Sequence, residues 1–131
     1  MDPKTLNPLS LAYVGDAVYE QFVRERIVRA GAGAGHADFL HKAGVRYVCA
    51  AAQAAALRSL EGVLTEYEAA LVRRARNHKI ATKPKNAAPM TYKNATAFEA
   101  LIGYLYLAGE SERCNEIMQM AVEYTEAKKN E

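Results

Sequence analysis

Over two long stretches this chain has no basic residue. From Thr5 to Val23 the formal charges are Asp16 and Glu20, and from Asn94 to Gly109 the one formal charge is Glu99. The residues around these acids are apolar or small, and a carboxylate buried without compensation is costly. Neither stretch supplies a Lys or Arg to compensate it. If Asp16 and Glu99 meet, a hard divalent cation is the natural partner, because such ions take carboxylate and water oxygens. The complementary gap lies between the two stretches. From Ala69 to Phe98 there is no acid, yet Arg73, Arg74, Arg76, Lys79, Lys83, Lys85 and Lys93 fall there, seven of the 17 basic residues. A charge run alone reads as a solvated loop; beside acids held for a metal it points to a polyanion brought to a metal site.

Other absences narrow the class. Cys49 and Cys114 lie in no CxxC or Cys/His spacing, which leaves zinc without a ligand set and reads as two reduced thiols in a cytosol. The apolar run after Glu99 stops at Gly109, short of the roughly 20 residues a membrane span needs. Met1 to Ser10 is mixed and polar, unlike a secretory leader. The expectation is therefore a cytoplasmic protein with no membrane association. No segment shows strand alternation between turn signals.

What remains is helical from end to end, and the fold class expected is all-α. Asn7 followed by Pro8 reads as an N-cap and a first helical position, and the glycines from Gly31 to Gly35 end that helix after about Arg29. Asp38 is a candidate cap for a region running through Leu57, with Gly44 a candidate break. Thr65-Glu66-Tyr67-Glu68 has the capping-box pattern, opening a helix to about Ala75. Asn77 to Pro89 reads as a loop, Thr91 or Asn94 as the start of the Glu99 helix, and Ser111 as the cap of a last helix to about Ala127. A chain of 131 residues fits a single domain, with its core over about 6–123 and short polar tails.

Helical spacing assigns faces. Leu11, Val14, Val18 and Phe22 form the expected core stripe of the first helix, and Phe98, Leu101, Ile102 and Leu105 that of the later one. Gly15 beside Asp16, and Gly103 on the face of Glu99, would allow close approach and bring the carboxylates to one point. The first helix is also apolar on more sides than a small monomer can bury, so a homodimer interface is expected there. Tyr13, Tyr19, Tyr104 and Tyr106 read as core or interface.

Several ordered blocks then carry a resemblance. Tyr13-Val14-Gly15-Asp16-Ala17-Val18 and Phe98-Glu99-Ala100-Leu101-Ile102-Gly103 resemble the two metal-binding segments of the ribonuclease III family. Arg76-Asn77, Thr82-Lys83-Pro84-Lys85-Asn86 and Thr96 to Leu101 are similar to its miniature branch, Mini-ribonuclease III, and the likeness covers about Leu6 to Glu123. The resemblance implies an all-α nuclease domain without a separate double-stranded RNA-binding domain. It implies a homodimeric, magnesium-dependent endoribonuclease (manganese substituting) that cuts double-stranded RNA to 5′-phosphate and 3′-hydroxyl ends. For the miniature branch the substrate is the precursor of large-subunit (23S) ribosomal RNA.

By the same resemblance Asp16 and Glu99 are the catalytic and metal-binding acids. Two further acids of full-length ribonuclease III fall here on Ala12 and Thr96, which leaves open whether one or two metal ions bind. Glu20, one turn after Asp16, is either a third metal ligand or a surface acid. Arg73, Arg76, Asn77, Lys79, Lys83, Lys85 and Lys93 are the candidate RNA contacts. Duplex RNA is read mainly through phosphates, 2′-hydroxyls and shape, which suits a Lys/Arg segment. The rival reading is a catalytically silent helical RNA-binding protein of ribosome assembly, with the acids used for packing.

Overall fold

A long helix buried on nearly every side organises the molecule. In the computed structural model, which describes residues 1–31, 36–78 and 88–129, this is α5, Pro89–Leu107. From Asn94 to Leu105 every residue of α5 except Glu99 is buried. A helix apolar all round belongs inside a bundle, and α5 is surrounded accordingly. Against it pack α1 (Pro8–Arg29), α3 (Ala50–Leu60), α4 (Glu66–Asn77) and α6 (Ser111–Lys129), while α2 (Ala37–Val48) lies on α1. Among the described residues there is no strand, and the fold is all-α.

The local signals explain most boundaries. The Asn7 side chain accepts from the Leu9 amide at 2.7 Å, with Pro8 at the first helical position, and α1 ends before Gly31 at φ +101°. At the start of α4 both halves of the capping box are made: the Glu68 amide donates to the Thr65 hydroxyl at 3.1 Å, and the Thr65 amide to Glu68 Oε1 at 2.9 Å. Buried Glu68 also takes two hydrogen bonds from Arg113 of α6, at 2.9 and 2.8 Å, while Arg113 Nη2 reaches the Val63 carbonyl at 2.8 Å. One guanidinium thus fastens α4 and its preceding turn to α6.

Three expectations are corrected. The break after α2 falls at Cys49, whose ψ of 156° is extended, and not at Gly44. Gly44 stays helical and buried beneath the Ile27 side chain. Helix α5 begins at Pro89, because proline fits the first turn, where its missing N–H has no intrahelical partner. The core stripe of α1 is Leu11, Tyr19, Val23 and Ile27 with Ala12 and Gly15, rotated from the expected one. Val18 and Phe22 pack at its margin and Val14 is half-buried, because the crossing with α5 selects the face with the smallest residues.

Candidate metal and nucleic-acid site

Two glycines set the geometry of the site. A Cβ on Gly15 of α1 would stand 1.7 Å from the backbone oxygen of Glu99, and one on Gly103 of α5 would stand 1.9 Å from that of Leu11. The two backbones are therefore in direct contact, and only glycine permits it. Asp16 follows Gly15 and Glu99 supplies the carbonyl that Gly15 touches. Their carboxylates leave the two helices at the same crossing, close enough to share a hydrogen bond.

The electrostatics follow from this placement. Burial pushes the Glu99 carboxyl up to about 8, helped by the charge of Asp16, by the hydrogen bond that protonated Glu99 donates to Asp16, and by the charge of Glu20. A hydrogen bond from the Gln53 side chain of α3 opposes the rise. Asp16 is exposed and Glu99 half-buried. Two acids brought this close suit a hard divalent cation, which would replace the shared proton and neutralise both charges. The donors here are oxygens, with no thiolate or imidazole among them, which fits magnesium or manganese rather than zinc.

Glu20 stands apart from this pair. Its carboxylate is 3.2 Å from Arg24 one turn on, and among the described residues no three His, Cys, Asp or Glu side chains form a group able to hold a metal. Ala12 and Thr96 are both buried, 7% and 6% exposed, and add no charge. As placed, the site is two carboxylates with one amide behind them.

The candidate RNA contacts divide. Arg73 and Asn77 lie exposed on α4, and Lys93 is half-buried on α5. Lys79, Lys83 and Lys85 lie outside the described residues. Arg76 is engaged: its Nε donates to Asn94 Oδ1 at 2.7 Å and its Nη2 meets Glu61 at 3.2 Å. That bond ties the end of α4 to α5 five residues before Glu99, about 7.5 Å along the helix axis. Arg76 is thereby held near the acids at the end of α4.

Sequence reasoning missed Gln53, Asn94 and Glu61. For Gln53 a signal existed: it is the one polar residue from Ala50 to Leu57, and it lies four before Leu57 on the core face. The tyrosines separate cleanly. Tyr19 and Tyr104 are core, with Tyr19 edge-on to Phe98, whereas Tyr13 is 84% and Tyr106 58% exposed.

The chain is similar to known proteins over most of its length. Residues 9–110 match the Ribonuclease III domain family. A Mini-ribonuclease 3 of Symbiobacterium thermophilum is 51% identical over 125 residues, covering 95% of both chains. One of Brevibacillus brevis is 49% identical over 120 residues, 92% of this chain and 88% of that one. The crystal structure of a Fusobacterium nucleatum protein superimposes with a TM-score of 0.82 at 30% identity, covering 93% of this chain and 96% of that one.

Proposed function

The chain belongs to the ribonuclease III family, and from that premise we propose that Asp16 and Glu99 form its magnesium site and that it works as a homodimer on precursor ribosomal RNA. It is an endoribonuclease of double-stranded RNA, and the non-catalytic alternative is set aside. One observation carries the site assignment. Along the buried stretch of α5 the only residue left partly open is Glu99, and the helix crossing sets it against Asp16.

Each residue has a part that its position allows. Asp16 and Glu99 would hold magnesium, or manganese in its place. When bound, the ion lowers the pKa of water and stabilises charge on the phosphoryl and leaving oxygens. The Gly15–Gly103 contact keeps the carboxylates together. Glu20, paired with Arg24, supports the negative field at the crossing. Arg73, Asn77 and Lys93, with Lys79, Lys83 and Lys85 of the intervening segment, bind phosphates. Arg76 ties the end of α4 to α5 and offers phosphate whatever part of its guanidinium Glu61 releases.

The dimer reading rests on an uncovered apolar surface. Leu9 and Tyr13 are exposed beside Leu6, Val14 and Leu107, at the outer side of α1 and the end of α5. A two-fold pairing over this patch would set two sites on one duplex, so that both strands are cut. The assignment to large-subunit ribosomal RNA precursor and to the cytoplasm rests on the resemblance to the miniature branch and on the unpaired cysteines. Among the described residues no helix is long and apolar enough to cross a membrane.

The test is cleavage of a precursor 23S transcript and of an unrelated duplex, with magnesium and with chelator. Cuts with 5′-phosphate ends, metal-dependent and faster on the precursor, are expected. Equal rates on both substrates would remove the precursor assignment, and undiminished cleavage in chelator would remove the metal.

A further inference from the structure

Gln53 is 2% exposed in α3, on the face that carries Leu57 and Leu60 into the core. A primary amide there is expensive, because its donors and acceptor lose water and the neighbouring positions are Ala and Leu. Such a residue is tolerated when a hydrogen bond compensates it. Helix α3 packs against α5, and the polar side chain that the Gln53 amide faces there is Glu99. Helix α3 thus spends a core position on one contact with a carboxylate of the candidate metal site.

We propose that Gln53 is a positioning residue for the metal-binding carboxylate, its amide donating to Glu99 and holding that carboxylate toward Asp16. This rests on the metal site proposed above. A glutamate side chain has three rotatable bonds and would sample several directions at a helix crossing. A fixed donor from a third helix leaves it one, and spares the metal the cost of ordering it. Gln53 is too deep to meet RNA, so its effect on the nuclease must pass through Glu99.

The test uses the full chain without RNA, titrated with Mn2+ and followed by electron paramagnetic resonance. Gln53→Met keeps the length and volume of the side chain but donates nothing. We expect its Mn2+ dissociation constant to rise by roughly 10- to 100-fold, the usual consequence of losing a partner behind a metal ligand. The metal-free melting temperature should hold or rise, since methionine suits the apolar surroundings. A wild-type Mn2+ affinity in Gln53→Met would overturn the proposal and make Gln53 a packing residue. Wild-type protein that binds no Mn2+ would overturn the metal site itself, and this inference with it. If Gln53→Met does not fold, the wild-type protein still decides the matter. The Gln53 side-chain amide resonances should move on adding Mg2+ and again in Glu99→Gln, and resonances unmoved by both would contradict the assignment.

Discussion

Glu99 holds its proton up to about pH 8 because its carboxyl is half-buried and faces Asp16. The sign of the consequence follows from linkage. Between the ordinary glutamate range and about pH 8 the folded, metal-free protein keeps a proton that the unfolded chain has released, so stability falls as pH rises through that window. Glu68 and Glu126 are shifted the other way by Arg113 and Arg26, and they act only at the acid end. Melting temperatures in chelator should therefore decline from about pH 5 to pH 8 in wild type and stay level over that range in Glu99→Gln. The same slope in both proteins would show that Glu99 is not the titrating group. At this scale the meeting of Asp16 with Glu99 was legible, since Gly15 and Gly103 beside them permit close approach. Gln53 was harder to see, because an amide in an alanine-rich helix also reads as a surface residue. The engagement of Arg76 was not legible, because it depends on Asn94 and Glu61 arriving from two other elements.

Between elements, the decisive contact is that of α1 with α5. Gly15→Ala should destabilise the fold at the upper end of the roughly 1–3 kcal/mol typical of overpacking, because the new methyl meets backbone and not a movable side chain. Any accommodation separates the helices and parts Asp16 from Glu99, so Mn2+ affinity should fall together with stability. A Gly15→Ala protein with wild-type melting temperature and metal affinity would contradict the crossing. Helix starts were readable at Asn7-Pro8 and at Thr65 with Glu68, whereas His36 stands at the N-cap of α2 and Asp38 lies inside its first turn. The bend at Cys49 has no such mark: no proline or glycine stands there, and α2 turns into α3 to follow the core. The face of α1 was misjudged for a related reason. Periodicity found an apolar stripe on a helix with apolar residues on several sides, and the choice among them was made by Gly15 and Gly103.

For the whole molecule, that same surplus of apolar surface is where the proposed dimer would form. Tyr13 is 84% exposed on α1, whereas Val18 packs against the core. Tyr13→Glu should leave the monomer folded, with an unchanged circular-dichroism spectrum, and halve the sedimenting mass at micromolar concentration. Paired cuts across a duplex should give way to slow single-strand nicks. A Tyr13→Glu protein that remains dimeric would place the interface elsewhere. Val18→Glu, by contrast, should damage the fold itself.

The proposed function requires Asp16 and Glu99 to act as one metal site for cleavage of duplex RNA. Its most direct test is the single-turnover cleavage rate of a defined duplex across a magnesium titration, for wild type, Asp16→Asn and Glu99→Gln, with RNA affinity measured in parallel in calcium. Both variants should bind duplex RNA within a few-fold of wild type and lose at least about 100-fold in cleavage rate, with saturation moved to higher magnesium. Cleavage within a few-fold of wild type by either variant, at ordinary magnesium, would contradict the site.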